Sequence, residues 1–149
     1  MEEEKNLIVK DFNNIQKRTN TQTDIYTTIE NQKTLFNLEN ACDYKINDCK
    51  GEKIRIKDIV IKINNKPLAE PVVDSETGEV IKDHETSMVT ILIDDIGKSY
   101  VTASKIFTMQ MLRYVQMFGI DSIKNGLDIE IIEKSVKNSA NKALGFKLV

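Results

Sequence analysis

The side chains of this sequence best suited to chemistry are cations, and they are concentrated in its second half. Residues 98–149 contain eight Lys and Arg against four Asp and Glu, whereas residues 1–97 contain 13 against 19. A segregated set of cations can replace counterions along phosphates, and flat aromatic rings can stack on unpaired bases. The net charge of −2 therefore leaves room for a basic groove, although an ordinary solvated surface is the alternative.

Residue types that catalyse reactions or bind metals are scarce. His84 is the only histidine, and its neighbours Asp83 and Glu85 indicate a solvated loop. Cys42 and Cys49 have no second pair of ligands nearby, so we interpret them as thiols in a reducing compartment. The sequence has no P-loop, no Gly-rich dinucleotide turn and no HExxH motif. We predict no enzymatic activity, no cofactor and no metal.

The elements that must position the cations are clearest between residues 89 and 119. Two short β-rich runs flank the turn cluster DDIG, which predicts a hairpin with Gly97 in the left-handed region. A helix follows, with Thr102 or Ser104 as its N-cap and Gly119 at its end. Its predicted apolar face consists of Phe107, Met111, Leu112, Val115 and Phe118.

The remaining strands are predicted on both sides of this hairpin and helix. GEKIRIKDIVIKI predicts a long strand that changes face at a bulge near Lys57 and Asp58. Pro67 and Pro71 argue against a central strand in the stretch that follows, which the DSETG turn can fold into a two-stranded flap. Residues 127–136 and 144–148 predict two further strands, joined by the basic loop KNSANKA.

Together these elements predict a mainly β protein. Five strands with one helix between the third and fourth match a five-stranded OB-fold barrel, here preceded by a short helix and an N-terminal arm. We place the domains at 1–27, a flexible N-terminal arm, and 28–149, the OB-fold domain. Apolar runs are about five residues long, against roughly 20 for a membrane span, and the start resembles no signal peptide. We expect a cytoplasmic protein without a membrane partner.

Several segments resemble one family. KIRIKDIVI, a loop containing DSETGEV, TILIDDIGKSYVTASK and a helix ending in MFG are similar to the small single-stranded-DNA-binding proteins encoded by phages and conjugative plasmids of Gram-positive bacteria. The similarity covers about residues 30–149. It implies largely sequence-independent binding of single-stranded DNA in DNA replication or conjugation. The alternative is an OB-fold protein-interaction module of a replication or transfer complex, with incidental DNA contact.

The binding face of an OB barrel spans strands two and three and is flanked by two loops. The predicted DNA-binding residues are Arg55, Lys57, Lys62, Lys98, Tyr100, Lys134, Lys137, Asn138, Asn141 and Lys142. Tyr100 is the best candidate to stack on a base, and Tyr44 and Tyr114 are weaker ones. The N-terminal arm has an apolar cluster that we predict to mediate homo-oligomerisation: Leu7, Ile8, Val9, Phe12 and Ile15.

Overall fold

The computed structural model describes residues 22–135 and 142–149, and these residues are mainly β. The strands are β1 (Gln22–Thr27), β2 (Tyr44–Lys45), β3 (Lys53–Val73), β4 (Val80–Asp94), β5 (Ser99–Thr102), β6 (Leu127–Ser135) and β7 (Lys142–Leu148). The α-helices are α1 (Gln32–Asn40) and α2 (Lys105–Phe118), and short 3₁₀ helices span Ile46–Cys49 and Ile120–Asn125.

The strands form one open sheet in the order β2-β5-β4-β3-β6-β7, with β1 paired to β3 outside this path. The predicted closed barrel is therefore not observed in the described residues. The physical reason lies at β5, whose edges are occupied by β4 on one side and by the parallel strand β2 on the other. The order of five strands and one intervening helix, β3-β4-β5-α2-β6-β7, is the predicted one.

The chain divides into two compact units, and the smaller one contains residues 62–87 together with the first residues of β1. Here β3 and β4 extend into a two-stranded ribbon, closed by a turn in which the Asp74 N–H donates to the Glu79 carbonyl at 2.8 Å. This ribbon is the predicted flap, but β3 runs through Pro67 and Pro71. A ribbon has unpaired outer edges, and an edge tolerates a residue without an N–H. His84 is exposed, as expected, but lies in β4 rather than in a loop.

The larger unit contains residues 26–61 and 88–149, and its core forms between α2 and the sheet. The Ser104 hydroxyl accepts the Phe107 N–H at 3.2 Å, and the helix ends at Gly119 with a φ of 85°. Phe107 and Met111 are fully buried, and the Phe107 ring lies 5.2 Å from that of Phe146 on β7. The helix prediction is therefore confirmed in position, but its buried face is only partly the predicted one, because Leu112 and Val115 are half-buried and Phe118, in the last turn, is 53% exposed.

Two predictions concern the N-terminal arm. Residues 22–27, predicted as its last part, instead form β1, which pairs with β3. The apolar residues predicted to mediate oligomerisation, Leu7, Ile8, Val9, Phe12 and Ile15, lie outside the described residues. None of the helices in the described ranges is long and apolar enough to cross a membrane.

Candidate nucleic-acid interface

Two tyrosine rings stack at the edge of the sheet. Tyr44 of β2 and Tyr100 of β5 are direct partners in a parallel strand pair, which places their side chains on the same face. Their ring centroids are 5.3 Å apart with an interplanar angle of 26°. Tyr44 is 45% exposed, so this pair, which we call the tyrosine platform, presents aromatic surface to solvent.

The turn before β5 holds Tyr100 in place through Asp94. One carboxylate oxygen of Asp94 accepts the backbone N–H groups of Ile96 and Lys98 at 3.1 and 2.8 Å. The other accepts the Tyr100 hydroxyl at 2.8 Å. Burial, followed by this hydrogen bond, raises the pKa of Tyr100 above its ordinary value. Gly97, with a φ of 90°, provides the left-handed position that the sequence predicts.

A second carboxylate fixes the other strand of the platform. Asp43, which directly precedes β2, accepts the Ser99 backbone N–H at 2.9 Å and the Ser99 hydroxyl at 3.2 Å. The Ser99 oxygen in turn accepts the Asp43 N–H at 3.0 Å. Ser99 is buried and Asp43 is exposed, so these bonds join a core residue to the surface, and they set the register that brings Tyr44 opposite Tyr100.

Lys98 is the cation of the platform. Its Nζ lies 5.8 Å from the centroid of the Tyr44 ring, which is within the range of a cation–π contact. In the part of the chain that the structure describes, Lys98 forms no salt bridge. Its ammonium group is therefore available to a phosphate beside a stacked base.

The platform borders a depression of about 640 Å³. Its lining includes Cys42, Cys49 and the acids Asp43, Asp48 and Glu52. Burial raises the pKa of both thiols, and nearby Glu52 contributes at Cys49, whose pKa rises to about 11. Neutral thiols are weak nucleophiles. Within residues 22–135 and 142–149, no group of three His, Cys, Asp or Glu side chains could hold a metal ion.

Among the predicted cations of the larger unit that the structure describes, Lys98 alone lines the depression beside the platform. Nη1 of Arg55 on β3 donates to both carboxylate oxygens of Asp128 on β6, at 2.9 and 3.2 Å. Lys57 and Lys134 are half-buried. The Nζ atom of Lys142 lies 3.9 Å from a carboxylate oxygen of Glu133. Lys62 belongs to the smaller compact unit. The predicted residues Lys137, Asn138 and Asn141 lie outside the described residues.

Two further cations of the second half of the sequence pair with acids. The Nζ atom of Lys124 lies 2.8 Å from a carboxylate oxygen of Asp58, and that of Lys147 lies 3.8 Å from a carboxylate oxygen of Glu130. Such exposed pairs contribute about 0–1 kcal/mol each, so phosphates can compete for these lysines. The platform, whose Lys98 forms no salt bridge within residues 22–135 and 142–149, is therefore the better-defined candidate site.

Tyr100 and Lys98 were predicted from the sequence as DNA-binding residues, with Tyr44 as a weaker candidate. The roles of Asp94 and Asp43 in fixing the platform were not predicted. A signal for Asp94 was present, since Asp at the start of a Gly-containing turn commonly accepts backbone N–H groups. No comparable signal exists for Tyr44, because β2 is only two residues long.

The chain was compared with protein-family models, with curated proteins and with solved structures, and none of the three comparisons gave a match.

Proposed function

We propose that this protein binds single-stranded DNA with little sequence preference. The observation that carries the proposal is the tyrosine platform, in which the exposed Tyr44 ring stacks on the half-buried Tyr100 ring beside Lys98, a cation without a salt bridge in the described ranges. Single-strand binders combine aromatic surfaces for base stacking with cations along the phosphates. Every base has a face that can stack, so this recognition tolerates any sequence.

The strand order also supports the proposal. We infer that the sheet is an open variant of the OB-fold, an architecture that is itself only partly closed. In this interpretation β3, β4 and β5 are the first three strands of the fold, α2 is its helix, and β6 and β7 are the last two. Tyr100 then lies on the third strand, which is part of the surface where OB-folds bind oligonucleotides, and Tyr44 lies on the neighbouring strand β2.

The sequence resemblance suggests where such an activity would serve. It extends to the GKSYVTASK segment, which contains both Lys98 and Tyr100. We propose that the protein protects or organises single strands during replication or conjugative transfer of a phage or plasmid. Both processes expose single-stranded DNA and require the same binding chemistry.

The wild-type protein provides the first test. A labelled oligo-dT and a duplex of equal length are titrated with the protein at low salt, and the binding is followed by fluorescence anisotropy. We expect the single strand to bind at least about tenfold more tightly, because tenfold is about 1.4 kcal/mol and one stacked base contributes roughly 1–3 kcal/mol. Equal affinity for the duplex would contradict the proposal.

A second candidate function, a protein-interaction module, is favoured by the ribbon of the smaller unit. Its tip exposes four aliphatic side chains to about half of their area or more: Val72, Val73, Val80 and Ile81. Residues 66–85 contain six acids against two lysines, a balance that repels DNA. Absence of oligo-dT binding in the first test would favour this candidate.

A further inference from the structure

The ribbon of the smaller unit has two faces that differ in charge. β3 ends at Val73 and β4 begins at Val80, and a backbone hydrogen bond joins the next residue on each side, within the turn. Val73 therefore lies opposite Val80, and the next cross-strand pair is Val72 and Ile81. Side chains alternate between the faces of a strand, so the two pairs lie on opposite faces. Lys82 shares the face of Val80.

The face with Val72 and Ile81 has acids instead. Strand alternation places Glu70 and Glu85 there, because each is an even number of residues from the member of the pair on its own strand. Asp83 falls on this face too, where its carboxylate lies 2.7 Å from the His84 ring. All of these acids and both aliphatic side chains are exposed. We call the set the acidic ribbon face: Glu70, Val72, Ile81, Asp83 and Glu85.

Helix α2 exposes an apolar row with the opposite charge, on the side away from the core. Ile106, Met109 and Met117 recur at helical spacing and are 46%, 54% and 60% exposed. Arg113 is exposed in the same row, four residues from both methionines. We call these four residues the α2 stripe. The helix also contains Lys105 and has no Asp or Glu, and exposed apolar rows of this kind mark interaction surfaces.

The two surfaces match in spacing as well as in polarity and sign of charge. On the ribbon, Ile81 and Glu85 are about 13 Å apart along the strand, at roughly 3.3 Å per residue. On the helix, Ile106 and Arg113 are about 10.5 Å apart, at roughly 1.5 Å per residue. An aliphatic side chain and a charge thus lie at similar distances on both surfaces. Each surface supplies what the other needs, and both belong to this chain.

We propose that the acidic ribbon face of one copy docks on the α2 stripe of a second copy. The aliphatic pair of the ribbon covers Ile106 and Met109, and Glu85 approaches Arg113. The contact is not reciprocal, because each copy offers one ribbon and one helix. It therefore repeats from copy to copy, as an open chain or a ring, and builds oligomers whose size depends on concentration. This association does not depend on DNA binding.

Light scattering on full-length protein, over a wide range of concentration, tests the role of the ribbon. The variant Val72→Ser/Ile81→Ser is measured beside the wild type. The matched control, Val73→Ser/Val80→Ser, removes two aliphatic side chains of similar exposure from the opposite face. We expect the first variant to require at least about tenfold more protein to form the same oligomers, a loss of about 1.4 kcal/mol, and the control to match the wild type. A monomeric wild type, or equal behaviour of all three proteins, would overturn the proposal.

A mixing experiment tests whether α2 is the receptor. Ile106→Ser/Met109→Ser lacks the stripe but keeps the ribbon, and Val72→Ser/Ile81→Ser lacks the ribbon face but keeps the stripe. Both should keep the circular dichroism spectrum of the wild type and stay monomeric at a concentration at which the wild type forms oligomers. Their equimolar mixture should form dimers that grow no further, because one intact contact remains. A mixture that stays monomeric would contradict the proposed pairing of surfaces.

A charge exchange tests the ionic part of the contact. Arg113→Glu should weaken the oligomers, and adding Glu70→Lys and Glu85→Lys to the same chain should restore them. If the combined variant remains as weak as Arg113→Glu alone, the assignment of the ribbon face to the α2 stripe is wrong.

Discussion

Two turns of this protein are built by the same local chemistry and differ in their environment. In the ribbon, Asp74 accepts the backbone N–H groups of Glu76 and Thr77 at 2.7 and 3.1 Å. In the hairpin before β5, Asp94 accepts two backbone N–H groups in the same way. A glycine with positive φ completes each turn, Gly78 at 73° and Gly97 at 90°.

The difference lies in the second carboxylate oxygen. In Asp94 this oxygen binds the Tyr100 hydroxyl, and Asp94 is only 8% exposed. Asp74 makes its bonds in a solvated turn, where backbone hydrogen bonds lower its pKa. Both aspartates thus close a hairpin. Asp94 also supports an aromatic surface, because it makes a third hydrogen bond, to Tyr100.

The largest expected difference between the two turns is in their contribution to the stability of the protein. Asp94→Ala removes the acceptor of two N–H groups and of a phenol in a buried site, so we expect the free energy of unfolding to fall by about 3 kcal/mol. Asp74→Ala should lower it much less, because water replaces the lost acceptor in this exposed turn. Urea unfolding of both variants measures the difference. Equal losses would mean that the two turns are equivalent and that Asp94 has no special supporting role.

A smaller effect should distinguish two lysines in their contribution to DNA binding. Lys98→Ala should reduce the slope of log affinity for oligo-dT against log salt by about 0.7, the value for one phosphate contact on a single strand. Lys124→Ala is the matched control, because Lys124 does not line the depression beside the platform, and it should leave the slope nearly unchanged. Anisotropy titrations at several salt concentrations provide both slopes. A larger change for Lys124 would move the DNA path away from the platform.

The elements that depend on neighbours in the sequence could be predicted. The position of α2 follows from a capping serine, a helical apolar period and Gly119, all within one short stretch. The turns at Asp74 and Asp94 likewise depend on only a few residues. These features could be predicted from the sequence because the interactions that stabilise them are local.

The site depends on contacts between distant residues, which no local pattern encodes. Asp43 and Ser99, whose hydrogen bonds set the tyrosine platform, are 56 positions apart. The pairing of β2 with β5 also occupies the edge at which a barrel would close. Arg55 illustrates the same limit, because its partner Asp128 is apparent only once β3 and β6 are paired.

The central claim is that the tyrosine platform stacks on DNA bases. It is tested most directly by comparing Tyr44→Ala with Tyr26→Ala in the oligo-dT titration, since both tyrosines are 45% exposed and only Tyr44 belongs to the platform. We expect Tyr44→Ala to lose roughly 1–3 kcal/mol of binding free energy and Tyr26→Ala to bind like the wild type. Equal affinities of Tyr44→Ala and the wild type would contradict the claim.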